Sequence, residues 1–408
     1  MTVPDATSVV SLPGGLVLRQ ARPADLDQIG ALLTERMSSA DAVDHRLVVT
    51  DPDAGWGSCA VVTDGDRVVS TATLLDEELR IGGLRLPAGQ VELVATDREY
   101  EGRGLVRALM RWAHDRSAAR GHVVQVMIGI TYFYRRFGYE YAIDIQPALP
   151  LRTLPPADDP TALRPARPSD LPALTALQDA AQSGFDVTMP HSVPCWRWLL
   201  AHEASTVWAV ERAGAVVASG RTLPPDDEEI LLAEGAAADE AAAADLLRGV
   251  AALVPGGQVR GAGRLGTVWR DLLRDEERPP AEQYYVRIPD PAALLDRLRP
   301  VLWNRLVTAG IDHGGRDLVI STFGAHHRIP VHADGLGEVS TGGPMQAPAS
   351  MGGAGVAPDY LPALLFGPHG IDGLSRIRPD VYCGPEKELY QALFPPLTAD
   401  LLTYYLPY

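Results

Sequence analysis

The stretch VATDREYEGRGLVRALM, residues 94–110, joins a strand-like run to a helix-like run through a glycine-spaced loop. Val91, Leu93 and Val94 make a β-strand with Glu92 between them, and Leu105, Leu109 and Trp112 line one helical face. A helix N-terminus carries unsatisfied N–H groups and roughly half a positive charge, so a pyrophosphate there is held mainly by backbone. Glu99 and Glu101 sit inside this loop, but they can point outward while the amides of Gly102, Arg103, Gly104 and Leu105 face a ligand. Arg103 and Arg107 add positive charge. Taken alone, the phrase fits a plain strand-to-helix turn equally well.

Outward from the loop, the chain contains a repeat. LVLRQARPADLDQIGALL begins at Leu16 and TALRPARPSDLPALTALQ at Thr161; Leu18, Arg19, Ala21, Arg22, Pro23, Asp25 and Leu26 recur as Leu163, Arg164, Ala166, Arg167, Pro168, Asp170 and Leu171. Each copy reads as a short strand, a helix start with an acid near the positive helix end, and an amphipathic helix. The correspondence continues into CAVVTDGDRVVSTATLL from Cys59 and WAVERAGAVVASGRTL from Trp208, two apolar runs broken by Gly-containing turns, as in hairpins. The copies then diverge: EILLAEGAAADEAAAADLLRGVAAL, from Glu229, lacks the loop glycines that allow close backbone approach. The second copy reads as structural.

After Tyr284 the pattern changes again, with a capped amphipathic helix from Ile288, a strand-like DLVISTF and a Gly/Pro/Ser-rich stretch that includes GGAGVAP at Gly352, which reads as a flexible loop. YLPALLFG from Tyr360 and LYQALF from Leu389 have helical spacing. The expected class is α/β with mixed sheets, in domains at residues 1–150, 151–287 and 288–408.

Composition narrows the function. A formal charge of −16 repels polyphosphate backbones and favours a small cationic partner over nucleic acid. Cys59, Cys195 and Cys383 lack CxxC or Cys/His spacing, so neither a disulfide framework nor a metal site is indicated, and a reducing cytoplasm is the default location. The start has no basic n-region, and no run approaches about 18 uninterrupted apolar residues, so no membrane role is expected. His326 and His327 are adjacent and His332 has no carboxylate at ligand spacing, which makes them structural.

With the early strand and helix, the middle hairpin, the apolar HVVQVMIGI and the following TYFYRRFGYEYA, the order resembles the GNAT superfamily of acyl-CoA-dependent N-acyltransferases over roughly residues 15 to 150. Glu99 stands where the superfamily's Q/R-x-x-G-x-G/A phrase has Gln or Arg. The larger plan of a GNAT copy, a degenerate copy and a sterol-carrier-like C-terminal domain resembles the Eis family of bacterial aminoglycoside and amine acetyltransferases.

That resemblance implies acetyl-CoA as donor, a cationic amine as acceptor and a hexamer. It places the pantetheine arm on the backbone of Val94, Ala95 and Thr96, and the pyrophosphate on Glu101, Gly102, Arg103, Gly104, Leu105 and Arg107. It makes Tyr134, in the YRRFGY phrase, the general acid, and the terminal carboxylate of Tyr408 the base. Glu92, on the strand beside the coenzyme, competes for the base role. Acyl transfer needs a neutral amine, a polarised carbonyl and a proton for the leaving thiolate; no metal is required. Two alternatives remain: a ligand-binding protein using the sterol-carrier-like region, and a biosynthetic acyltransferase using a longer acyl-CoA.

Overall fold

The repeated Arg/Arg-Pro-x-Asp phrase builds the same clamp twice. Arg19 donates to both oxygens of Asp25 (2.7 and 2.8 Å) while the Arg22 amide caps onto the same carboxylate at 2.7 Å. Arg164 donates to Asp170 (2.7 and 3.1 Å), and the Arg167 amide donates to the same carboxylate at 2.8 Å. Each acid ties a strand to the start of the helix that follows it, satisfying an N-terminal N–H. These details come from a computed structural model, which describes residues 9–154, 162–226, 228–264, 266–275, 282–311 and 315–404.

The first stretch of chain gives β1 (Val10–Ser11), β2 (Val17–Gln20), α1 (Leu26–Arg36), α2 (Ser39–Thr50), β3 (Cys59–Asp64), β4 (Arg67–Ile81), β5 (Leu84–Thr96), α3 (Leu105–Ala119), β6 (Val124–Met127) and β7 (Glu140–Asp144). Strands β1 to β6 lie in sequence order, antiparallel except for β5 and β6. That pair is parallel because α3 crosses over between them. The helix packs through Leu105 and Leu109, with Trp112 partly buried beside them.

Next come β8 (Ala148–Pro150), β9 (Ala162–Pro165), α4 (Leu171–Gln182), β10 (Val187–Met189), α5 (Val193–Ala201), β11 (Thr206–Arg212), β12 (Ala215–Thr222), β13 (Glu229–Ala237), α6 (Glu240–Ala251) and β14 (Gln258–Ala262). The second sheet has the order β9-β11-β12-β13-β14-β8, again antiparallel except for the pair flanking the crossover helix, β13 and β14. Its core centres on Trp269, Leu246 and Leu232.

Strand β15 (Gln283–Arg287) then returns to the first sheet and inserts between β6 and β7. Asp290 caps α7 (Pro291–Ala309), and a third sheet forms from β16 (Leu318–Ser321), β17 (His326–Ile329), β20 (Ser340–Gly342), β21 (Ala354–Val356) and β22 (Val381–Tyr382). Between β17 and β20 lies a small hairpin of β18 (Val331–His332) and β19 (Gly335–Leu336). Helices α8 (Leu361–Phe366), α9 (Gly370–Ile377) and α10 (Lys387–Leu393) follow, and the last strand is β23 (Ala399–Leu401). One continuous core joins this region to the first sheet, from Leu79 and Val126 to Leu298, Phe366 and Tyr390.

The GGAGVAP stretch is not the flexible loop its composition suggests. It contains β21, and Cβ atoms on Gly353 and Gly355 would lie 2.9 Å from Val319 and 2.7 Å from Tyr382. Its glycines serve tight packing in a buried strand. The chain is a mixed α/β protein with several sheets.

Candidate active site

The site begins with a fault in β5. Thr71 pairs with Ala95 and Thr73 with Glu92, so Leu93 and Val94 together oppose Ala72. This is a β-bulge, and Leu93 takes a left-handed φ of 51° within it. On the other side, the pairing of β5 with β6 ends at Gln90 and Val126. Beyond that point the two strands part, leaving the backbone of residues 91–96 without a strand neighbour on that side.

The loop into α3 continues from this gap. Gly102 and Gly104 have φ of 74° and 80°, and a Cβ on either would meet no protein atom within 4 Å. The left-handed backbone requires glycine there, while the space above both residues stays open. Gly104 precedes α3 with no side-chain cap, so the helix's leading N–H groups are uncommitted.

A cavity of about 430 Å³ occupies the gap, lined by Val94, Thr96, Glu101, Gly102, Gly104, Leu105, Arg107 and Tyr134 among others. Ala95 points the opposite way, into the core beside Leu93 and Ile29, as strand alternation demands. Arg103 turns back, its guanidinium 4.5 Å over the Tyr100 ring and bonded to the Glu99 carbonyl at 3.1 Å. The loop acids are neutralised from other elements: Arg36 binds Glu101 at 2.5 Å and Arg67 binds Glu99 at 3.3 Å. Both carboxylate side chains remain over half exposed, at 55% and 74%; Glu101 lines the cavity and Glu99 does not. Arg107 has no ion-pair partner among the described residues and lines the cavity.

Tyr134 sits at the inner end, on a 3-10 turn at Phe133–Phe137. Its ring is buried among Phe133, Phe137, Tyr139 and Tyr285, with centroids 5.1 to 6.4 Å away. Its hydroxyl has no hydrogen-bond partner among the described residues and is therefore free to meet a ligand. Burial, with the nearby Glu92 adding to it, pushes the phenol's pKa up, so it stays protonated.

The turn is pinned by a hydrogen-bond chain in which the Tyr132 amide donates to the Tyr141 hydroxyl (2.9 Å), which bonds the Tyr285 hydroxyl (2.7 Å), which donates to the Ile130 carbonyl (3.1 Å). This holds Tyr132 in a left-handed conformation immediately before the turn.

Glu92 is half-buried on β5 and accepts from Gln90 Nε2 at 2.6 Å. Burial pushes its carboxyl up to about 8; the Gln90 hydrogen bond opposes the rise, and Asp41 and Asp44 add to it. Tyr408 lies outside the described residues. At Tyr404, the last described residue, the backbone N–H donates to Gln90 Oε1 at 3.3 Å and the ring packs 5.6 Å from Trp198.

Of the other acids, Asp25 caps a helix, Asp76 pairs with Arg120 and His122, and Glu78 pairs with Arg80. Glu77 is buried with neither oxygen hydrogen-bonded among the described residues; its carboxyl is raised well above the usual range by burial, with Asp76 and Glu92 adding to the rise. His326 and His327 bond Gly343 and Thr341 within the third sheet, and no group of three or more His, Cys, Asp or Glu among the described residues is placed to hold a metal.

Residues 17–142, which contain this whole cavity, match the family model of the acetyltransferase (GNAT) domain. The chain is accordingly an N-acyltransferase.

Solved structures of the same fold span nearly the full chain. A GCN5-related N-acetyltransferase from Anabaena variabilis ATCC 29413 has 15% identity and a TM-score of 0.70 over 95% of this chain and 99% of its own. One from Kribbella flavida has 20% identity and a TM-score of 0.65 over 98% and 100%. Eis1 from Mycobacterium abscessus has 16% identity and a TM-score of 0.61 over 96% and 100%. At these identities the likeness establishes the fold. No curated protein matches the sequence.

Three features of the site escaped the sequence. Arg36, at the end of α1, and Arg136, on the turn that carries Tyr134, line the cavity. Gly129 leaves room for the catalytic candidate, since a Cβ there would lie 2.4 Å from the Tyr134 ring. Tyr285 reaches the site only because β15 enters the first sheet. The glycine in HVVQVMIGI was visible, but nothing local in the sequence links it to Tyr134.

Proposed function

We propose that the protein transfers an acetyl group from acetyl-CoA to a primary amine of a cationic small molecule by direct attack. The observation that carries this reading is one cavity lined by the uncapped start of α3, the freed edge of β5 and Tyr134. GNAT acetyltransferases use acetyl-CoA, and the residues here suit it. The helix N-terminus and Arg107 would hold the pyrophosphate, and Val94 and Thr96 would offer backbone groups to the pantetheine arm.

In the transfer step the amine lone pair attacks the thioester carbonyl carbon and the C–S bond breaks. The amine proton passes to a carboxylate, and the thiolate takes a proton from Tyr134. Glu92 is the described carboxylate in reach of this region, with the terminal carboxylate of Tyr408 as the alternative. Because Glu92 is raised to about 8, its basic form grows as pH climbs toward that value, so turnover should rise with pH through the same range. Acids around Glu92, from Asp41 to Glu77, would attract a cationic acceptor.

The duplicated clamp and matching strand orders support reading the chain as two related GNAT-like units, the second without coenzyme, followed by a third domain. Acetyl-CoA binding and free-thiol release with a polyamine and aminoglycoside panel test the function. Absence of coenzyme binding at millimolar concentration would overturn it, and preference for longer acyl-CoAs would redirect it.

A further inference from the structure

Gln90 is fully buried on β5 and makes two hydrogen bonds that use its two ends differently. Its oxygen accepts from the Tyr404 backbone N–H at 3.3 Å, and its nitrogen donates to Glu92 at 2.6 Å. A backbone N–H can only meet the oxygen end of an amide, so the Tyr404 contact turns the NH2 group toward the carboxylate.

The segment carrying Tyr404 joins the first sheet through β23 and β10, the latter paired with β4, and is also gripped from the second sheet. β23 pairs with β10, and the Leu402 amide donates to the Met189 carbonyl at 2.8 Å. Asp400, on β23, is gripped by Arg264 through Nε at 2.9 Å and Nη2 at 2.6 Å, a pair with side chains only 2% and 3% exposed. Gln182 donates to the same carboxylate at 2.9 Å. Arg264 follows β14, and its remaining nitrogen donates to the Gly235 carbonyl on β13 at 2.5 Å. The ion-pair end of the anchor therefore belongs to the second sheet, while the strand pairing and the segment's far end lie with the first sheet and its site.

We propose that the second sheet, through the Arg264–Asp400 pair, holds the C-terminal segment as a positioning arm that fixes the Gln90 amide so that it donates to Glu92. This rests on Glu92 acting in the transfer proposed above. The groups facing Glu92 are Gln90 on its own strand, Asp41 and Asp44 from α2, Glu77 from β4 and Tyr134 from the turn after β6. The three acids all disfavour a further negative charge at Glu92, while Gln90 is the group that stabilises the carboxylate.

The test is turnover against pH at saturating acetyl-CoA, with coenzyme affinity measured separately, in the wild-type chain, Gln90→Leu and Asp400→Asn. In Gln90→Leu the midpoint of the rising limb should move up by about 1 pH unit, the scale of one hydrogen bond to a charged group, with coenzyme affinity unchanged. Asp400→Asn should move it in the same direction by a smaller amount. Should Asp400→Asn fail to fold, Arg264→Lys, which keeps the charge but loses the two-point grip on Asp400, takes its place with the same expected direction. An active wild-type chain whose midpoint stays fixed in Gln90→Leu would overturn the arm while leaving the transferase reading intact. A wild-type chain without thiol release would overturn both.

Discussion

The two larger sheets share a plan and differ at one place. In the first, β5 bulges at Leu93 and Val94, and in the second β13 does the same: Arg221 pairs with Glu234 and Thr222 with Leu232, leaving Ala233 extra. The parallel pairing that follows stops in both, at Gln90 in β5 and at Leu232 in β13. Past that point the first sheet holds a cavity of about 430 Å³, whereas in the second the Trp269 side chain lies against both strands.

One side chain and one cap account for the contrast. Trp269 is fully buried, its ring so close to both strands that a Cβ on Gly235 or Gly261 would come within 3.0 or 2.9 Å of it. Its Nε1 donates to the Ala262 carbonyl at 2.9 Å, fixing the indole across the gap. At the helix start, Asp239 accepts from the Ala242 amide at 2.7 Å, so α6 already has its anion, whereas α3 begins at Gly104 with no side-chain cap. A strand gap becomes a ligand site only when it is left unfilled and the adjoining helix is left uncapped.

The comparison can be broken most severely at the chemical end of the open gap. Tyr134→Phe should lower turnover by about 10²- to 10⁴-fold, the range for a general acid, with acetyl-CoA affinity little changed by calorimetry. Next in size, Trp269→Ala should destabilise the chain by about 3–5 kcal/mol in denaturant melts. It should add no coenzyme binding, since Asp239 still caps α6. Gly104→Ala forces a side chain into a left-handed backbone, which costs about 1–2 kcal/mol, and should weaken acetyl-CoA binding roughly tenfold. The smallest effect belongs to Asp239→Ala, a lost cap costing about 1 kcal/mol of stability, again with no coenzyme bound in the second sheet.

Much of the first sheet was legible because its signals are local. The Arg/Asp phrase, the Gly-turn hairpins and the strand-glycine-helix order each depend on residues a few positions apart, and each forms as its pattern indicates. The same locality explains the second sheet's lost glycines, although Trp269 as the filler lay 32 positions beyond Ala237 and gave no cue.

Contacts made at long range stayed hidden. Nothing in QYYVR marks β15 for insertion between β6 and β7, so the Tyr285 support of the Tyr134 turn was unreadable. The neutralisation of the loop acids was not legible because their partners, Arg36 and Arg67, lie 65 and 32 positions away. Buried ion pairs such as Arg264 with Asp400, 136 positions apart, are set by tertiary placement that no periodicity encodes.

The most direct test of the account is the stoichiometry of acetyl-CoA binding by isothermal titration calorimetry on the full chain. One molecule bound per chain, lost or weakened in Gly104→Ala and unaffected by Asp239→Ala, is the predicted result. Two molecules per chain, or binding that survives Gly104→Ala and fails in Asp239→Ala, would contradict it.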